Sequence, residues 1–202
     1  MSFRFLAFLL VVASLGYSSC ASTRIHGVRE PGFESVRYDA VVVHARVRDE
    51  KVRRRIEDAF VAELEEEGVR AKASLDLLNE PRKYTETEVL DLMRAEGWQA
   101  MLRVKLGEFE HLLVEQPGAL IFVGDGYSGF AYATPPYLDD RTRLGMHVDF
   151  LDAKTGRVAW EGRSRLGQWG DRLLIELVRR SAEDLGPYWK RKGLIGPPAP
   201  AR

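Results

Sequence analysis

The chain has 202 residues, 30 of them basic and 30 acidic, with four histidines and one cysteine. Balanced charge argues against a nucleic-acid surface or an acidic solvating tail, and a lone thiol excludes an internal disulfide and a cysteine-based metal site. The length and an apolar share of 45% suit one domain with tails, stable on packing alone.

The chain opens with one positive side chain, Arg4, an apolar run over residues 5–16, and small residues leading to Cys20. That is the layout of a secretory signal, and the run falls well short of the ~20 apolar residues that a membrane span needs. Ser18, Ser19 and Cys20 resemble the lipobox of bacterial lipoprotein signals, with Tyr17 where such signals carry Leu and Leu15 two residues early. The resemblance implies a signal peptide over residues 1–19 and a mature N-terminus at Cys20, acylated as a diacylglyceryl thioether and on its amine. Several chains together make a stable anchor where one holds only marginally. Ala21 stands where resembling lipoproteins kept in the inner membrane carry Asp, so the implied address is the periplasmic side of the outer membrane. The alternatives are ordinary cleavage near Cys20 with a free thiol, and an uncleaved anchor, which the short apolar run disfavours.

Residues 20–37 are polar, with Gly27, Pro31 and Gly32, and read as a tether. Residues 38–47 form a β-branched strand, with Val41, Val43, Ala45 and Val47 on an apolar face and Ala40, Val42, His44 and Arg46 on a mixed one, as in a sheet covered by helices on one side. Asp49 caps a helix bearing Val52, Ile56, Phe60 and Leu64, stopped at Gly68. Its Arg53, Arg54 and Arg55 crowd the N-terminal half against the helix dipole, offset by i,i+4 pairs such as Arg53 with Glu57, and suit a solvated face. Residues 69–78 read as a second strand. Thr85 and Glu88 satisfy a capping box, with Tyr84 and Val89 as staple, opening a helix that buries Val89, Leu92 and Met93 and ends at Gly97. Residues 98–106 form a third strand.

Residues 107–140 lose periodicity. A hairpin through 109–114 and 119–123 followed by a long loop is the expected form, and loops of this length are often functional. The aromatics Phe122, Tyr127, Phe130, Tyr132 and Tyr137 make this excursion the first choice for contact with a partner. Residues 142–151 and 157–164 then form an antiparallel hairpin, with Met146, Val148, Phe150, Val158 and Trp160 inward. Asp171 caps a last helix stopped by Gly186-Pro187, and residues 187–202, Trp189 included, read as a flexible tail.

This order predicts an α+β fold: a two-layer sandwich with a mixed sheet of five or six strands and three helices, one domain over residues 38–186. The capped helix after Val41-Val42-Val43, the Glu67-Gly68-Val69 exit and the hairpin over 151–160 resemble a group of small Gram-negative envelope domains. The group includes the N-terminal domain of TolB, the penicillin-binding-protein activator LpoB and the curli secretion lipoprotein CsgG. The likeness describes a scaffold and assigns no site. A pore is not implied, because Leu120-Ile121-Phe122-Val123 is continuous where a membrane strand alternates.

Chemistry is poorly marked. Ser128 lacks the second glycine of a nucleophile elbow, since Phe130 stands there. His147 and Asp149 share one strand face, opposite Met146, Val148 and Phe150, and two ligands are too few for a closed metal site. The sequence therefore supports a non-enzymatic, lipid-anchored envelope protein without cofactor or metal, attached to the membrane through Cys20 and binding a protein of the envelope. The alternatives are a hydrolase or metal-dependent enzyme using Asp125, Ser128 or His147 within residues 107–149, and a subunit that assembles with copies of itself.

Overall fold

The computed structural model describes residues 22–78, 84–117, 120–124, 129–133, 135–169 and 173–197. Among them the chain forms β1 (Ser22–Arg29), β2 (Ala40–Ala45), α1 (Glu50–Glu66), β3 (Arg70–Ala73), α2 (Ser74–Leu77) and α3 (Glu86–Ala95). It continues with β4 (Ala100–Gln116), β5 (Leu120–Gly124), β6 (Gly129–Ala133), β7 (Tyr137–Asp152), β8 (Val158–Trp169) and α4 (Leu174–Arg191). Six strands make one mixed sheet in the order β1-β8-β7-β4-β2-β3, and β5 and β6 form a separate hairpin. Only β4-β2 and β2-β3 pair in parallel.

The expected two-layer α+β sandwich is the fold. On one face α1 places Ile56, Phe60 and Leu64, and α4 places Leu177, Val178, Ala182 and Leu185, over Val41, Val43, Leu102, Val104, Val148 and Phe150. Local chemistry fixes both ends of α1: Asp49 accepts from the Val52 N–H at 3.0 Å, and Gly68 takes a φ of +82° that favours glycine. The Thr85–Glu88 capping box forms as expected. The other face of β2 is not left to water. Ala40 and Val42, with Met101 and Leu151, make a smaller core under Leu77 of α2 and Val89, Leu90 and Met93 of α3.

The structure departs from the sequence reading at several points, each with a local cause. Much of the tether is β1, an edge strand antiparallel to β8. Its polar residues hide a packing role: Gly27 lies opposite Gly162, and the Trp160 indole covers both, so that an added Cβ at Gly27 would stand 2.1 Å from Trp160 Cζ2. The second strand stops at Ala73, because the Leu75 N–H is taken by the buried Glu57 carboxylate and Leu77 turns into the second core. Residues 109–116 do not fold back on 119–123; they prolong β4 as a ribbon with β7, while β5 pairs with β6. Val158 and Trp160 fall on different faces, because β8 bulges by one residue between the pairs Phe150–Trp160 and Leu151–Val158.

The last helix begins after Leu173, which makes no side-chain cap; Asp171 lies outside the described residues. Gly186-Pro187 does not end it. The helix runs through Pro187 to Arg191 and buries Trp189 completely. Trp189 meets Phe150 edge-on at 5.0 Å and Trp160 at 5.9 Å between ring centroids. Leu194 and Ile195 follow it into the core, where Ile195 bridges Tyr38. An aromatic of that size in the core outweighs the hydrogen bond that a proline removes.

Candidate functional site

Two groups of polar side chains stand out, one sealed and one open. The sealed group joins α1, β2 and α2. Glu57, fully buried, accepts from the Ala45 N–H at 3.0 Å, Arg53 Nε at 2.8 Å, Ser74 Oγ at 2.8 Å and the Leu75 N–H at 3.1 Å. Arg53 also reaches Ser74 Oγ, and His44 Nδ1 lies 3.0 Å from the same hydroxyl. Burial, reinforced by the Arg53 charge, lowers the His44 pKa to about 4, so the ring is neutral at ordinary pH. Serine, histidine and glutamate meet here, but Ser74 is buried and its hydroxyl is committed to Glu57. With that hydroxyl committed, the set acts as a lock between α1, β2 and α2. The Arg53–Glu57 pair expected from spacing is present, turned inward instead of solvated.

The open group spans β1, β8, β7 and β4 on the face opposite α1 and α4, in the half that α3 does not cover. Register alone assembles it. His26 stands opposite Arg163, Arg163 opposite His147, and His147 opposite Lys105. In the neighbouring row Arg24 faces Arg165, which faces Gly145. At that level β4 bulges between Leu106 and Phe109. Gly107 there approaches the Gly145 backbone so closely that a Cβ would lie 3.1 Å from the Gly145 carbonyl oxygen. Two glycines thus floor a depression of about 660 Å³, walled by Arg24, His26, Lys105, Arg143, His147, Arg163 and Arg165, with Glu108 and Glu110 at one margin.

Glu110 lies 4.0 Å from Arg143, whereas among the described residues Arg24, Lys105, Arg163 and Arg165 have no ion-pair partner. Like charges directly opposite in a sheet are destabilising, so folding alone gives no reason for Arg24 to face Arg165. Guanidinium groups present forked donors that match carboxylate and phosphate oxygens. Chemically, the trough is suited to hold an anion.

Of the residues singled out in sequence, His147 enters this trough, and Asp149, on the same face, pairs instead with Arg103. Phe122 lies in β5 opposite Ala131; Phe130 and Tyr132 lie in β6 opposite Val123 and Ile121; Tyr137 opens β7 opposite Gln116. Cys20, Asp125, Tyr127 and Ser128 fall outside the described residues. The trough itself was missed, because its cations come from four separate strands; the alternation Arg163-Ser164-Arg165-Leu166 was the one local signal.

No protein-family model matches the chain, and no curated protein matches it by sequence. Among solved structures it is similar to the PelC dodecamer from Paraburkholderia phytofirmans, at 11% identity over 86% of this chain and 99% of that one, with a TM-score of 0.51. A leucine-to-methionine variant of that dodecamer gives 13% identity over 82% of this chain and 97% of that one, with a TM-score of 0.50. A looser likeness, with a TM-score of 0.43, is to a lipoprotein from Neisseria meningitidis, at 11% identity over 75% of this chain and 99% of that one. Identities this low speak to the fold alone.

Proposed function

We propose that the protein is a lipid-anchored, non-enzymatic component of the bacterial envelope, held through Cys20 on the periplasmic side of the outer membrane, that works by binding an anionic envelope component in the trough. The observation that carries the binding half is the set of unpaired cations, Arg24, Lys105, Arg163 and Arg165, that converge from three strands. The lipobox resemblance supports the anchoring half. The sealed serine, histidine and glutamate set favours binding over chemistry. Kinship with the TolB, LpoB and CsgG group of αβ domains belongs to this reading, as does contact between the β5–β6 hairpin, with Phe122, Tyr127, Phe130, Tyr132 and Tyr137, and a protein of the envelope.

Labelling cells with an alkynyl fatty acid tests the anchor: the wild-type chain takes label and floats with membranes, and Cys20→Ser does neither. Unlabelled, freely soluble wild-type protein would sink that half. For the trough, an acidic polysaccharide such as polygalacturonate is expected to bind the wild type in low salt and to release Arg24→Glu with Arg165→Glu. Equal binding by both removes the trough from the reading.

A second reading, assembly into a ring of copies, is supported by the fold it shares with a dodecamer. The native mass of the detergent-solubilised protein decides it, and a monomer ends it.

A further inference from the structure

We propose that the trough lies against the phosphate headgroups of the same bilayer that holds the acyl chains of Cys20, so that the domain is seated on the membrane and does not swing from a tether. The proposal rests on the acylation put forward above and adds the source of the anion. Its first support is distance. Ser22, the first residue of β1, already pairs with Gly167 of β8. Two residues of chain span at most about 7 Å, so an acylated Cys20 keeps the Ser22 end of the sheet close to the headgroup layer.

The second support is where the charge lies along that axis. Counting open-face rows from Ser22, the first holds Arg143 and Glu110, the next Arg24 and Arg165, and the third His26, Arg163, His147 and Lys105. The fourth holds Glu161, Asp149 and Arg103, and there the positive excess ends. Successive rows on one face are about 7 Å apart. The unpaired cations therefore sit about 7–14 Å along the strands from the anchored row, and laying this face on the bilayer brings them within the ~8 Å over which its potential decays in physiological salt. The third support is shape. α3 covers this face only at its far end, over Val42 and Met101, leaving the trough in the near half open. Lys or Arg near an anionic bilayer strengthens attachment roughly fivefold per residue, and an acyl anchor confines the cations where this attraction acts.

The test uses the acylated full chain, reconstituted into vesicles of equal parts phosphatidylethanolamine and phosphatidylglycerol and treated with an amine-acetylating reagent. Mass spectrometry compares Lys105, exposed in the trough, with Lys154, exposed in the β7–β8 turn at the other end of the strands. Lys105 is expected to react roughly tenfold more slowly than Lys154 on vesicles, and at a similar rate in detergent. Salt at about 1 M, where the screening length is ~3 Å, should restore its reactivity while the acyl chains keep the protein afloat. Arg24→Glu, Arg163→Glu and Arg165→Glu together should do the same in low salt; if that variant fails to fold, the salt series on the wild type decides. Equal labelling of the two lysines on vesicles leaves acylation standing and overturns the docking. A chain that salt strips from the vesicles fails the acylation reading and takes the docking with it. Protection of Lys105 by polygalacturonate in detergent, with none from vesicles, places the anion in solution and also overturns it.

Discussion

Glu57 and Glu63 both lie on α1, and their surroundings give them opposite fates. Glu57 has four donors and stays within their reach. Replacing it with alanine leaves the partly buried Arg53, the Ser74 hydroxyl and two backbone N–H groups without this acceptor, and is expected to cost about 3 kcal/mol in urea unfolding. Glu63 has no such company: burial, then the charges of Glu66, Glu67, Glu183 and Asp184, raise its pKa to about 7. The unfolded carboxyl ionises above pH 4.5 while the folded one resists, so its contribution is full below 4.5 and lost as pH rises through 7. His44 runs the other way. Its folded pKa of about 4 lies below the usual 6.5, so its contribution is present above 6.5 and lost as pH falls toward 4. A melting series across this range should therefore show Glu63→Gln stabilised relative to wild type at pH 8 and unchanged at pH 4. Parallel curves at all pH values would show that Glu63 ionises freely. A tighter steric constraint lies under Trp160, where a Cβ at Gly162 would stand 2.3 Å from the ring. Gly162→Ala should lose about 1–3 kcal/mol, against little change for Gly167→Ala, whose nearest neighbour is 4.0 Å away.

Elements whose ends are set by local hydrogen bonds were readable in the sequence. Asp49, Thr85 with Glu88, and Gly68 mark α1 and α3 because the capping partner lies within a few residues. Elements held by distant partners were not. β1 alternates polar and small residues and becomes a strand only because β8 supplies its ladder and Trp160 its cover. The β4–β7 ribbon joins Gln116 to Tyr137 across a stretch without a turn signal at the right spacing. For α4, the local signal points the wrong way: Gly186-Pro187 spells a stop, yet Gly186 is there because its missing side chain admits Glu63, with Oε1 2.3 Å from where a Cβ would be. The helix beyond it belongs to the core. Ending the chain after Gly186 should abolish cooperative unfolding, whereas ending it after Pro197 should not. Trp189→Ala alone should cost about 3–5 kcal/mol. Trp189→Phe should cost much less, since the buried indole N–H has no acceptor to lose. If the shorter truncation melts like the longer one, residues 187–197 are dispensable and the tail reading was right after all.

For the molecule as a whole, the sheet does two jobs with two halves of its length. Its α4-covered half holds the chain together, and among the described residues no member of either core comes from positions 107–140. The trough lies between that core and the ribbon, which is why no motif could announce it: its parts are adjacent only once β1, β8, β7 and β4 are in register. This separation can be tested by surgery. Leu112 faces Arg141 across the ribbon, so replacing residues 113–140 with Asn-Gly closes the strands through a two-residue turn that suits their twist. The shortened protein should keep its circular dichroism spectrum and melt within a few degrees of the wild type, since every described core residue is retained. It retains Arg24, Lys105, Arg143, Arg163 and Arg165, so Lys105 should remain protected on vesicles. Phe122 and Phe130 go with the excursion, so a protein that a photoreactive group at either position captures from the wild type in cells should no longer co-purify with the shortened chain. Loss of folding would show that the ribbon belongs to the cooperative unit. Loss of Lys105 protection with folding intact would show that the excursion, and not the trough, is what meets the membrane.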